Sequence, residues 1–187
     1  MVAPTFEARD GHQATSLRAI RADGEGLRYR LEVVAASAVD VVQSAGGWLY
    51  DRVMAGWEVT ALLPGGCDTR PLRILGVAVS DPRPGLDEAG AASHGLAVSA
   101  EAFIADERVR QQVLTSLNNR STEVTLWGDA PHGWPLGVNR VTTRAQHVLS
   151  AAARTYKSHA LKAAGIPHTT VDPTEMLLCD THSRLDR

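Results

Sequence analysis

Several polar side chains that could perform acid–base or nucleophilic chemistry follow the strand-like segments of this 187-residue chain. Aspartate and histidine can transfer protons when burial brings their pKa values near the working pH. A cysteine can attack as a thiolate when a histidine or a helix N-terminus lowers its pKa. On these grounds the candidate catalytic residues are Cys67, Asp81, Asp129 and His132, although no G-x-S-x-G nucleophile motif is present.

These candidates should meet at one edge of a sheet if the strands that precede them are parallel. In open α/β sheets, ligands bind beyond the carboxyl ends of the strands. We expect a ligand at this edge to contact Ser37, Asp68 and Asp129. The alternative is that the edge carries polar loops and no ligand.

Metal and cofactor sites are not expected. The seven histidines form no H-x-x-H or H-E-x-x-H motif and no cluster with cysteine. The glycine-rich G-x-G-x-x-G fingerprint and the Walker loop are absent as well. Cys67 and Cys179 lie too far apart in sequence for a C-x-x-C site, and both are expected to be reduced.

The strongest charge signal is residues 130–171, a stretch without any Asp or Glu. On a helical wheel at about 100° per residue, its cations fall within an arc of roughly 140°. Valine, leucine, tyrosine and alanine residues cover the other side. The pattern predicts a basic amphipathic helix that ends near Gly165 and presents a partner-binding face made of Arg140, Arg144, Arg154, Lys157 and Lys162.

Three functions are consistent with this pattern. The leading prediction is a non-enzymatic binding or regulatory module whose basic helix contacts an acidic protein surface or a second copy of the chain. The alternative is a small enzyme or sensor that binds a phosphorylated ligand at the strand ends. The third is nucleic-acid association, since arginine and lysine contact phosphates, but aromatic residues for base stacking are missing from the basic face. A basic face that is merely solvated, or neutralised by acidic residues between 81 and 107, competes with all three.

The composition favours a cytoplasmic protein with no membrane partner. The net charge of −2 provides no general attraction to nucleic acid or to an anionic membrane. Residues 1–13 are polar and lack the apolar core of a signal peptide. The longest apolar run is far too short to span a bilayer.

Alternating strand-like and helical patterns predict a single α/β domain, with a mostly parallel sheet of about four strands and helices packed on it. Strands are expected over 27–33, 57–63, 72–79 and 122–127. Helices are expected over 37–55 and over 99–117, the second with a break near Asp106.

Residues 45–63 resemble the passage from a helix to the second strand in Rossmann-like domains. That resemblance is a packing pattern, and it implies a small Rossmann-like layered domain. The domain is expected to cover residues 26–171, after an irregular N-terminal arm at 1–25 and before a mobile C-terminal tail at 172–187.

Overall fold

The computed structural model describes residues 29–81, 94–119, 122–130, 133–166 and 170–181. Within these ranges the strands are β1 (Arg30–Val34), β2 (Glu58–Leu62), β3 (Ala78–Ser80), β4 (Gly95–Ser99), β5 (Glu123–Trp127), β6 (Thr142–Val148) and β7 (Thr174–Asp180). The helices are α1 (Ala38–Met54), α2 (Arg70–Ile74), α3 (Ala100–Ala105), α4 (Glu107–Asn119), α5 (Leu136–Asn139) and α6 (Ala151–Ala163). The predicted N-terminal arm, residues 1–25, lies outside the described residues.

The seven described strands form one sheet in the order β3-β2-β1-β4-β5-β7-β6. The first five of these run parallel to one another. β7 runs antiparallel to both of its neighbours, β5 and β6. The predicted α/β fold with a mostly parallel sheet is therefore confirmed, but the sheet is larger than the four strands that we expected.

The N-terminus of α1 is fixed by a side-chain cap. The Ser37 hydroxyl accepts a hydrogen bond from the Asp40 backbone N–H over 3.2 Å. Such a cap satisfies a helix N–H that has no partner within the helix. Asp40 also places a negative charge in the first turn, where the helix dipole favours it. The helix expected over 37–55 is thus confirmed.

Two apolar layers cover opposite faces of the sheet. One layer buries α1, α2 and α6 against the sheet, with Trp48 and Leu49 fully enclosed. The other buries α3, α4 and α5, with Phe103 and Trp134 in contact. Parallel strands covered on both faces are mostly apolar, as in β4, whose five residues are all buried.

Among the parallel strands, one prediction is wrong and one strand was not predicted. The strand expected over 72–79 is instead α2 followed by the short β3, because Pro71 lies in the first turn of a helix and Gly76, at φ 76°, ends the turn after it. β4 was not predicted, since its five residues follow a Gly- and Ala-rich segment. The break near Asp106 is confirmed, because α3 ends at Ala105 and α4 begins at Glu107.

The prediction of a single basic amphipathic helix is also wrong. Residues 142–148 form β6, which pairs with β7 along its whole length. A new helix, α6, begins after Ser150, whose hydroxyl accepts from the Ala153 N–H over 3.0 Å. The C-terminal segment is not a tail over 174–180, because these residues are β7 in the interior of the sheet. Among the described helices, none is long and apolar enough to cross a membrane.

Candidate functional site

A cavity of about 390 Å³ lies where β5 ends and β7 continues. Because Leu126 pairs with Leu178 in antiparallel register, the residues that precede Leu178 extend past the carboxyl end of β5. The first turns of α1 and the middle of α6 close the other side. The cavity is lined by Gln43, Ser44, Leu126, Trp127, Gly128, Asp129, Trp134, Arg144, Lys157, Asp172, Thr174, Glu175, Met176, Leu177 and Leu178.

A carboxylate in the first turn of α1 fixes one wall of this cavity. Asp40 accepts from the Ser44 hydroxyl over 3.0 Å and from the Trp127 indole N–H over 3.0 Å. Trp127, at the end of β5, is 1% exposed, and its indole is satisfied by Asp40. The second aromatic residue, Trp134, donates from its indole N–H to the Gly128 carbonyl over 3.3 Å. Both indoles therefore have fixed orientations before any ligand enters.

The deepest polar group in the wall is an ion pair between α6 and β7. The Lys157 ammonium lies 2.5 Å from Glu175, and the two side chains are only 7% and 2% exposed. Glu175 also accepts from the backbone N–H groups of Gly47 and Trp48, over 2.9 and 2.8 Å. Lys157 donates in addition to the Gln43 carbonyl over 2.7 Å. The pair thus ties α6, β7 and the middle of α1 together.

Three charged side chains lie nearer the solvent. Arg144 and Asp129 are exposed, and no other described residue gives either one a hydrogen bond or an ion pair. Asp172 accepts from both the backbone N–H and the hydroxyl of Thr174, and the backbone bond is the larger cause that lowers the pKa of Asp172. The Asp172 carboxylate is therefore already hydrogen-bonded to Thr174, the first residue of β7. Arg144 and Asp129 are the charges that remain available to a ligand.

A second cavity, of about 460 Å³, lies on the other side of the α1 N-terminus. It brings together Ser37, Cys67 and Asp68, whereas Asp129, the third expected ligand contact, lines the first cavity. Arg70 donates to Asp68, and this side-chain hydrogen bond is the main cause that lowers the pKa of the Asp68 carboxyl. Asp68 is therefore an ionised, already paired group. The described residues that line this cavity include no histidine that could activate Cys67.

The candidate catalytic residues that the structure describes do not meet in one cavity as expected. Asp129 lines the first cavity, and Cys67 lines the second. Asp81 directly follows β3, at the far side of the parallel strands. His132 lies outside the described residues. No group of three or more His, Cys, Asp or Glu side chains in the described ranges is arranged to hold a metal ion.

The residues of the predicted basic face do not share one helix. Arg140 follows α5 and Arg144 lies on β6. Arg154 and Lys162 are exposed on α6, whereas Lys157 on the same helix is buried. Sequence spacing contains a signal for this burial, because Lys157 lies four residues after Ala153 and three before Ala160, on the helix face that packs inward.

Comparisons with known proteins reveal the fold. No protein-family model and no curated protein sequence matches the chain. Among solved structures, the A40926 pseudoaglycone deacetylase Dbv21 aligns at a TM-score of 0.50 and 16% identity, covering 72% of this chain and 81% of that one. A deacetylase in complex with teicoplanin, from the teicoplanin biosynthesis pathway, aligns at 0.51 and 14% identity, covering 80% and 97%. The 4-carboxy-2-hydroxymuconate hydratase GalB of Pseudomonas putida KT2440 aligns at 0.49 and 11% identity, covering 86% and 99%.

The leading functional prediction is therefore corrected. The prediction of a non-enzymatic binding module depended on one continuous basic helix. The chain instead forms the strand β6 and the separate helix α6 in this segment. Two of the solved structures that share the fold are described as deacetylases, which are enzymes and not non-enzymatic binding modules.

Proposed function

We propose that this protein is a small enzyme whose substrate is a phosphorylated, hydroxyl-bearing small molecule, bound in the cavity at the carboxyl end of β5. The observation that carries the proposal is the lining of that cavity. It combines two oriented indoles, a buried ion pair, and the side chains of Arg144 and Asp129, which form no ion pair with a described residue. Its volume of about 390 Å³ is within the range of small-molecule sites.

Arg144 is the proposed contact for the phosphate group. Its guanidinium is planar and can donate two parallel hydrogen bonds to a phosphate, which lysine cannot do. In the register of β6 with β7, Arg144 pairs with Leu178, and both line the cavity. An exposed arginine without another partner among the described residues breaks no ion pair with those residues when an anion binds.

Asp129 is the proposed acid–base group and contact for hydroxyls. It is two residues beyond Trp127, at the mouth of the cavity. A carboxylate accepts hydrogen bonds from hydroxyl groups and can take up a proton during a reaction. Trp134 and the exposed Met176 supply apolar surface for the carbon skeleton of the ligand. The deacetylases that share the fold support the enzymatic part of the proposal.

Calorimetric titration with glucose 6-phosphate and with glucose tests the binding part. We expect the phosphorylated sugar to bind and the parent sugar to bind much more weakly. Arg144→Gln should weaken binding of glucose 6-phosphate by about 10- to 100-fold, since a hydrogen bond to a charged group contributes roughly 1.5–3 kcal/mol. Arg154→Gln is the matched control, because Arg154 is exposed on α6 and does not line the cavity.

Mass spectrometry of a panel of sugar phosphates tests the enzymatic part, with N-acetylglucosamine 6-phosphate included because deacetylases share the fold. A substrate found in this way should be turned over by the native chain and not by Asp129→Asn, while Asp129→Asn still binds it. Equal affinity of Arg144→Gln and Arg154→Gln, or no binding of any sugar phosphate, would contradict the proposal.

A further inference from the structure

The Lys157 ammonium has one more donor than its protein partners use. An ammonium group carries three N–H donors. One donates to Glu175 over 2.5 Å and one to the Gln43 carbonyl over 2.7 Å. No other described residue accepts from Lys157. One N–H therefore remains, on a side chain that lines the cavity.

This remaining donor is well placed to recognise a ligand. The Lys157 side chain is only 7% exposed, so little bulk water reaches it. Leaving a buried donor without an acceptor costs about 1–3 kcal/mol of free energy. A ligand oxygen that accepts this hydrogen bond removes that cost and therefore strengthens binding. Glu175 and Gln43 hold the ammonium from two directions, which fixes the third N–H without further loss of side-chain entropy on binding.

We propose that Lys157 is a specificity-determining residue that donates its third N–H to an uncharged oxygen of the ligand, a hydroxyl or a carbonyl. This inference rests on the proposed function of the cavity and adds a second recognition point to it. The ligand class is then a molecule with an anionic group for Arg144 and a neutral oxygen for Lys157.

The negative charge of Glu175 favours an uncharged ligand oxygen as the acceptor for Lys157. The ammonium of Lys157 is already balanced by Glu175, whose carboxylate also lines the cavity. An anion beside this pair would meet the Glu175 charge in a region where water screens little. A hydroxyl or carbonyl oxygen can accept the hydrogen bond without that repulsion. Arg144, which forms no ion pair with a described residue, remains the better position for the anion.

Nuclear magnetic resonance of the lysine ammonium groups tests the inference on the unmodified protein. The chain has two lysines, Lys157 and Lys162, so labelling lysine with nitrogen-15 at Nζ gives two assignable groups. Lys162 is exposed on the same helix and is the internal control. The probes are glucose 6-phosphate, which carries hydroxyls and a phosphate, and inorganic phosphate, which carries the anion alone.

We expect glucose 6-phosphate to shift the Lys157 Nζ signal, with saturation at the same Kd that calorimetry gives, and to leave Lys162 in place. Inorganic phosphate should leave Lys157 unshifted. If glucose 6-phosphate binds with dependence on Arg144 but Lys157 does not shift, the inference fails while the proposed function stands. A shift of Lys157 with inorganic phosphate would overturn the neutral-oxygen assignment. If no sugar phosphate binds, the proposed function fails and this inference fails with it.

Discussion

Replacing Gly47 with alanine should expose how tightly α1 is held against its neighbours. A Cβ on Gly47 would lie 2.5 Å from both terminal carbons of Leu149, a side chain that is itself 4% exposed. Gly46, one residue earlier and equally buried, would place its Cβ 3.2 Å from a single carbon of Leu75. The two glycines therefore lie on the same helix and are both buried, but they differ in the space around them.

The expected magnitude follows from two opposing terms. Alanine in place of a helical glycine gains about 1 kcal/mol at either position. Overpacking a closed core costs about 1–3 kcal/mol, and that cost falls chiefly on Gly47→Ala. Gly47→Ala should thus be less stable than Gly46→Ala by about 2 kcal/mol. For a chain of this size the difference corresponds to a Tm gap of roughly 4–8 °C.

Urea unfolding of both variants, alone and combined with Leu149→Ala, isolates the clash. Once Leu149 is truncated, Gly47→Ala should gain its full helix propensity and become stabilising by about 1 kcal/mol. The coupling energy between Gly47 and Leu149 should then be about 1–3 kcal/mol. Equal stability of Gly46→Ala and Gly47→Ala, with no coupling to Leu149, would refute the packing argument.

Three further predictions concern charge and capping. Lys157→Met should destabilise the fold by about 3–5 kcal/mol, because Glu175 is left buried and unpaired, whereas Lys162→Met should change stability by no more than about 0.5 kcal/mol; chemical denaturation distinguishes the two. Burial raises the pKa of Glu32 above 4.5, so its contribution to stability is complete below pH 4.5 and is lost as the pH rises through the folded-state pKa. Glu32→Gln should therefore be more stable than the native chain at pH 7, an advantage that vanishes below pH 4.5 in urea titrations; a constant difference at all pH values would contradict this. Ser37→Ala should cost about 1 kcal/mol through loss of the α1 cap, and Ser37→Asp should restore most of it in thermal unfolding.

Local signals in the sequence predicted a large part of the fold. Ser37 and the apolar spacing after it predicted α1, and the break before α4 was visible at Asp106. Residues 142–148 misled the helical wheel because charged residues at this spacing fit both a helix face and an exposed strand. Their strand state depends on β7, which is more than twenty-five residues away in sequence and pairs with all of them. Such non-local pairing leaves little trace in a local pattern.

The candidate site was predictable only in part. The topology of the parallel strands indicated a cavity at their carboxyl edge, and Asp129 lines one there, but Cys67 and Asp81 do not line the same cavity. The ion pair of Lys157 with Glu175 did not follow, because it needs β7 inserted beside β5 and α6 folded back over α1. Lys157 was predicted to lie on the surface because a count of charges does not show which face of α6 is covered.

The indole N–H signals of the four tryptophans offer the most direct test that the cavity at the end of β5 is the ligand site. Trp127 and Trp134 line this cavity, whereas Trp57, which precedes β2, does not. In a nitrogen-15 correlation spectrum titrated with glucose 6-phosphate, we expect the Trp127 and Trp134 signals to move together and the Trp57 signal to stay in place. Movement of Trp57 with unchanged Trp127 and Trp134 signals would contradict it.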